Sequence, residues 1–371
     1  MNLAEILVYT DIRQLHQIAG HYGCECNLNS KNELITTLLG SLRLRQTIQA
    51  EVERLTPEEV HFLLLLFLDK RSTFTLEDLL AKAGLALGGS AEKSNEQPRK
   101  VIASALRRGW LFPVKGAQSG EFQAPIDLRE PYVRVWLESR RGDNTESLPE
   151  PKAYRDEGTA ACDDIYLFLQ FLEKAPIPLT TDGGMYKRYQ LQLLRLFHIK
   201  EEPISKEKWR FGYGLHFDQY PDRFSLLYDF CFYQGWIEEL TGQVSITGRG
   251  GEWLVGSYSD ETYHDLIRFW MRLYKRAIPN LPMLVQLIPL MAGSSWITQC
   301  ELREILQPFI KPFYYDDSIS ILHNRILKMM VHLGLLKVAQ VDNEWCYAAT
   351  YACRSWMREF NGFAETTILL K

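Results

Sequence analysis

Three times along this chain an apolar helical run stops at a glycine that leads directly into a short apolar strand: Gly109-Trp110-Leu111, Gly235-Trp236-Ile237 and Gly334-Leu335-Leu336. Glycine takes up the left-handed backbone that ends a helix at no steric cost, so the following segment can fold back across the helix it has just left. Each glycine is followed by the pattern strand, polar turn, strand. In the first instance the turn spans residues 115–120 and the second extended run 122–126. Ahead of it, Pro98 suits a first helical turn, and Val101, Ile102, Ala105 and Leu106 recur on one helical face. A chain that does this three times is restricted to a row of small helical units, each closed by a hairpin. Its 371 residues exceed the span of one core, and 46% hydrophobic residues suffice to fill several.

The segments divide as follows. In residues 1–50, Leu15, Ile18 and Ala19 share one helical face, residues 24–30 form a polar loop, and Ser30 caps a second helix with Glu33 three positions on. Residues 56–142 hold a helix after Thr56 with Glu58 and Glu59 in its first turn, a second helix over 76–83 after Thr75, and the Pro98 helix. Residues 143–161 read as a linker open to proteases, because the stretch 139–160 is rich in charge, Pro and Gly and without apolar period. Residues 162–256 carry a helix over 162–174, an extended arm at 176–179, and the helix-glycine-hairpin series. Residues 257–371 carry helices near 262–277 and 298–306 before the third such series. Thr247 with Arg249 and Thr350 with Arg354, each followed by a tryptophan, agree with duplication. Three helices and a hairpin are the order of a winged helix, so the expected fold class is mainly α (α+β), tandem winged-helix domains with a small N-terminal helical module.

Charge restricts any nucleic-acid contact to local patches, because the net charge is −4 for the whole chain while residues 56–142 carry +2. On the Pro98 helix, Arg99, Lys100, Arg107 and Arg108 fall away from the apolar stripe, with Ala103. Lys187, Arg188 and Arg195 form a second basic set and Lys31 stands at the start of a helix in the N-terminal module. Two readings stay open for these residues: phosphate contact, or a solvated face whose basic groups already favour a helix C-terminus. Trp110 and Trp236 read as wedges between helix and wing. No apolar run approaches the ~18–20 residues of a membrane span and no basic leader precedes an apolar core, so no membrane association is expected. Seven scattered cysteines point to a reducing compartment, the cytoplasm.

Catalytic and metal chemistry finds little to build on. His16, His21, Cys24 and Cys26 are zinc-type ligands, but the Cys-x-Cys gap is tighter than usual and no second cysteine pair follows. The acidic pairs Asp163-Asp164, Glu238-Glu239 and Asp316-Asp317 read as helix caps and solvated residues rather than a metal-nuclease site. No metal and no cofactor is expected.

Two resemblances add to this. Residues 11–42, on Leu15, Ala19, Tyr22-Gly23, Ser30-Lys31 and Glu33-Leu34-Ile35, resemble the small modules of the SAP and Rho N-terminal type, which usually touch nucleic acid. Residues 176–197, on Pro178, Leu179, Thr180, Gly183 or Gly184, Tyr186, Lys187-Arg188, Leu191 and Leu194, resemble the winged-helix "helicase-associated" region at the N-terminus of bacterial XPB-type helicases and in stand-alone relatives. That likeness continues through Gly235-Trp236 and Thr247 to Arg249. It implies DNA and a helicase or other DNA-processing protein as partners. The motor is missing, since neither a phosphate-cradling Gly-x-x-x-x-Gly-Lys-Ser/Thr loop nor a strand ending in Asp-Glu occurs. The expectation is a non-catalytic DNA-binding or helicase-partner scaffold, with partner contact at an apolar wing surface around Trp236 and Ile237. The alternative is a winged-helix protein–protein docking module of a transcription or DNA-processing assembly, without nucleic-acid contact. An enzyme has least support.

Overall fold

The computed structural model describes residues 1–88, 96–114, 120–141, 148–204, 211–256, 260–293 and 295–360. The protein is mainly helical with small antiparallel sheets, and it divides into two compact units, Met1–Glu146 and Ser147–Glu359. Among the described residues no helix is long and apolar enough to cross a membrane.

Unit 1 begins with four short helices, α1 (Leu3–Tyr9), α2 (Ile12–His21), α3 (Lys31–Leu42) and α4 (Arg45–Arg54). Asn2, Asp11 and Ser30 accept first-turn N–H groups that would otherwise lack partners. Leu15, Ile18 and Ala19 are buried. Glu33 does not reach back to Ser30 but accepts from the Asn27 N–H at 3.0 Å, tying the polar loop to α3. Then follow α5 (Pro57–Phe67), α6 (Leu76–Ala86), α7 (Glu96–Arg107), β1 (Phe112–Pro113) and β2 (Phe122–Gln123). Thr56 and Thr75 make reciprocal caps with Glu59 and Asp78. Phe74 bridges Phe122, so the sheet runs Phe74, β2, β1. Residue 126, expected to close a strand, instead opens α8 (Ile126–Arg141), which packs on α4 and α5.

Unit 2 contains the same order twice. Helix α9 (Ala160–Lys174), β3 (Ile177–Pro178), α10 (Lys187–Leu196), α11 (Asp222–Tyr233), β4 (Ile237–Leu240) and β5 (Gln243–Ile246) form the first, with sheet order β3-β5-β4. Helices α12 (Gly248–Val255) and α13 (Asp260–Tyr274) connect it to the second. That one comprises α14 (Leu281–Ala292), β6 (Ile297–Thr298), α15 (Gln299–Leu306), α16 (Ser318–Ser320), a π-helical stretch Ile321–Leu327, α17 (Lys328–His332), β7 (Leu336–Val341) and β8 (Glu344–Ala349), with sheet order β6-β8-β7. Helix α18 (Tyr351–Glu359) follows. The two sheets of unit 2 therefore share one topology, the lone strand lying against the second hairpin strand, and in unit 1 a single bridge at Phe74 takes the corresponding place beside β2.

The three helix ends superpose bond for bond. The N–H groups of Trp110, Trp236 and Leu335 reach back to the carbonyls of Ala105, Cys231 and Met330 at 3.1, 2.9 and 2.8 Å, across glycines with φ of 66°, 69° and 65°. The Thr247 and Thr350 hydroxyls donate to the carbonyls of Gly235 and Gly334 at 2.7 and 2.6 Å and accept from the N–H groups of Gly250 and Cys353.

Two sequence expectations are corrected here. The helix near 262–277 is α13, a connector, whereas the third series opens with α14. Helix α14 is buried from Met283 to Pro289 on all sides, so it shows no helical alternation of apolar and polar residues. Residues 148–161, expected to be part of a linker, pack into unit 2. The Arg155 backbone bonds Val338 in both directions at 2.8 and 2.9 Å, and Glu157 is buried against His332 at 3.1 Å and Arg223 at 3.5 Å. Arg223, 1% exposed, also lies 2.6 Å from Asp164, at ion-pair distance though its N–H groups are not aligned for hydrogen bonds. Glu150, Lys152, Arg155 and Asp156 do face water, as in a linker, but Glu157 faces buried counter-charges and the Arg155 backbone is paired, which fixes the segment to unit 2.

Gly334 is also where residue 158 comes closest, for a Cβ on it would fall 1.8 Å from the Gly158 carbonyl oxygen, while a Cβ on Gly235 meets nothing within 4 Å. Both substitutions to alanine carry the same left-handed backbone cost of about 1–2 kcal/mol. Gly334→Ala should lose about 1–3 kcal/mol more than Gly235→Ala, because backbone must move. Urea unfolding of the two variants measures the difference.

Candidate nucleic-acid interface

Helix α7 separates its residues by face. Pro98, Val101, Ile102, Ser104 and Ala105 are buried, while Arg99, Lys100, Ala103 and Arg107 are exposed. Lys100 pairs with Glu96 one turn earlier at 2.8 Å, a solvent-facing contact worth little. Arg99 and Arg107 make no ion pair among the described residues.

Arg108 is corrected from phosphate candidate to buried clasp. Its side chain is 13% exposed; Nε donates to Glu51, itself 3% exposed, at 3.0 Å, and the guanidinium also reaches Glu59 and the Ser104 hydroxyl. It thereby ties α7 to α4 and α5, while the Tyr22 hydroxyl donates to the Arg108 carbonyl at 2.9 Å. The spacing held this signal, since Arg108 lies seven residues past Val101, two helical turns along the buried stripe. Lys31 is also engaged, donating to the Val8 carbonyl at 2.7 Å near the C-terminus of α1.

In unit 2, Lys187, Arg188 and Arg195 are exposed on α10, the second helix of its series, with the Arg188 guanidinium 4.6 Å from the Tyr189 ring centre. The third helix, α11, is buried from Arg223 to Cys231. The corresponding helix of the last series is buried at Ile321, Leu322, Arg325–Leu327 and Met329–His332. Among the described residues, α7 is thus the third helix whose outer face is open and basic. Trp110 lies edge-on to Tyr132 at 5.3 Å and Trp236 stacks on Trp253 at 4.5 Å, both buried as wedges. Ile237 is buried with Trp236, so the apolar wing surface expected there is core rather than a docking face.

The other ionisable groups are taken up by structure. His16 donates to the Leu28 carbonyl, His21 meets Glu51 at 2.8 Å and Cys24 lies 3.8 Å from the Ser41 hydroxyl. Asp164, read as a helix cap, instead sits inside α9 as the partner of Arg223 and accepts the His198 N–H at 2.6 Å. Glu239 accepts the Tyr228 hydroxyl, Asp317 caps α16 and Asp316 holds Arg325 at 2.8 Å. Among the described residues no three His, Cys, Asp or Glu side chains are grouped to hold a metal ion. No protein-family model and no curated protein matches the chain.

Removing Arg108 takes one partner from the buried Glu51 carboxylate, which keeps His21 at 2.8 Å and Arg54 at 3.3 Å, so Arg108→Ala should cost about 1–3 kcal/mol, whereas Arg99→Ala, Lys100→Ala and Arg107→Ala together should leave stability within about 0.5 kcal/mol. Chemical denaturation of both variants tests this assignment. Two buried carboxylates set the acid limit. Burial alone would push Asp69 up, but Lys82 and Arg71 outweigh it and hold the group below the usual range; His332, Arg155 and Arg223 do the same for Glu157. Such groups stabilise the native state above the ordinary carboxylate pKa of about 4 and lose that contribution as pH falls through their lower native values. The melting temperature should therefore fall as pH drops from about 4 to 3, as a thermal scan over pH will show.

Proposed function

We propose that the protein is a non-catalytic DNA-binding scaffold of tandem winged helices that works beside a DNA-processing protein such as a helicase. The observation that carries this reading is the outward basic face of α7, the third helix of its series, where Arg99, Lys100 and Arg107 surround the small Ala103. A helix of that kind fits the major groove, and a small residue at its centre lets the backbone approach while the flanking cations reach phosphates. Lys187, Arg188 and Arg195 supply a second set of exposed cations. The shared sheet topology and helix ends support the winged-helix assignment. The helicase partner rests on the resemblance of residues 176–197.

A second reading, protein–protein docking without nucleic acid, is favoured by the enclosure of α11 and its counterpart in the last series. Each phosphate contact contributes about 0.9 to the slope of log affinity against log salt on duplex DNA. Changing Arg99, Lys100 and Arg107 together to alanine should therefore flatten the slope by about 3 units and weaken binding at low salt. Filter binding at a series of salt concentrations decides it: wild-type protein with no salt-dependent affinity would favour docking instead.

A further inference from the structure

We propose that the turn at residues 313–316 of unit 2 is a stacking platform for unpaired bases of single-stranded nucleic acid, a site separate from α7 that rests on the nucleic-acid reading above. The turn is closed by two backbone bonds, Phe313 N–H to the Asp316 carbonyl at 2.9 Å and Asp316 N–H to the Phe313 carbonyl at 3.0 Å. Its two tip residues are Tyr314 and Tyr315, 75% and 72% exposed. Tyr314 has φ of +49°, a left-handed backbone that turns normally give to Gly or Asn. Two large rings are thus held in water, one of them at a backbone cost.

The foundation of the turn is stiff. Asp316 is buried and accepts from Arg325 Nε at 2.8 Å; Arg325 also donates to the Phe211 carbonyl at 2.5 Å and lies 5.0 Å from the Tyr213 ring centre. Arg325 belongs to the π-helical stretch, a rare form that recurs at functional sites. Phe313 meets Tyr314 edge-on at 4.7 Å and Phe211 meets Tyr315 at 5.5 Å, bracing the tyrosines from below. A buried ion pair, a π-helical segment and a left-handed tyrosine all serve to present two adjacent aromatic rings.

The shape and charge match bases better than a peptide anchor. An apolar peptide side chain needs a pocket to enter, whereas these rings protrude. Asp316 is ion-paired with Arg325, the exposed Asp317 is held at the start of α16 by the Ser320 N–H, and Lys311 is exposed close by in sequence on the other side of the turn. Successive unstacked bases bring flat faces to successive rings and a phosphate to the lysine. Duplex DNA keeps its base faces covered, so the turn selects single strands.

The test compares wild type with Tyr314→Ala/Tyr315→Ala and Tyr314→Phe/Tyr315→Phe by fluorescence anisotropy on an oligothymidylate of about 15 nucleotides. Both variants should melt like wild type, since the rings are exposed. The alanine pair should bind the single strand about a hundredfold more weakly, with an unchanged salt slope because no charge is removed; the phenylalanine pair should bind nearly as well as wild type. Duplex binding through α7 should be unaffected. Wild-type binding to the single strand that survives both alanine changes, or a phenylalanine pair as weak as the alanine pair, overturns the stacking platform and leaves the α7 reading standing. A wild-type protein that binds neither single strand nor duplex overturns both.

Discussion

Each of the three series turns on a left-handed glycine. Gly109, Gly235 and Gly334 let the following N–H reach five residues back, which satisfies a helix-end carbonyl and sends the next residue under the helix as a wedge. Trp110, Trp236 and Leu335 are buried for that reason, and the hairpin behind each has one place to lie. In the last two series a threonine closes the arrangement by bonding both the glycine carbonyl and the next helix start. The repeated geometry is a consequence of satisfying the same orphan backbone groups in the same way.

Within unit 2 the third helices have lost the exposure that α7 keeps. Asp222 at the start of α11 pairs with Lys328 at 2.7 Å and lies 3.6 Å from Arg325, and Arg223 enters a charged cluster with Asp164 and Glu157. Residues 148–161 supply Glu157 to that cluster and add backbone pairing at Val338. Breaking such a pair is expensive because the remaining charge stays out of water, so the cluster fastens the two series to each other.

The contrast between Arg107 and Arg108 explains how adjacent basic residues come to different ends. One hundred degrees of helical rotation carries Arg107 into water and Arg108 toward Glu51 and Glu59. The same distinction separates Lys31, bonded to a helix-end carbonyl, from Lys187 and Arg188, which face solvent. A count of cations therefore overstates the open basic surface, which on α7 consists of Arg99, Lys100 and Arg107.

Local chemistry was enough to read the three glycine-ended helices, the Ser30, Thr56 and Thr75 helix starts and the stripe of α7, because each depends on residues within one or two helical turns. Helix α14 could not be read that way, since burial on every side erases the period that reveals a helix. Residues 148–161 looked like a linker because the counter-charges of Glu157 come from Arg223 and His332, distant in sequence. The tyrosine turn is equally silent, its strain and its anchor Arg325 being properties of the folded loop. The sequence by itself determined where helices stop and hairpins begin, through backbone conformations a few residues dictate. Which charges face water and which hold the core was decided only by tertiary structure, because desolvation depends on what packs against a group and not on what precedes it in the chain.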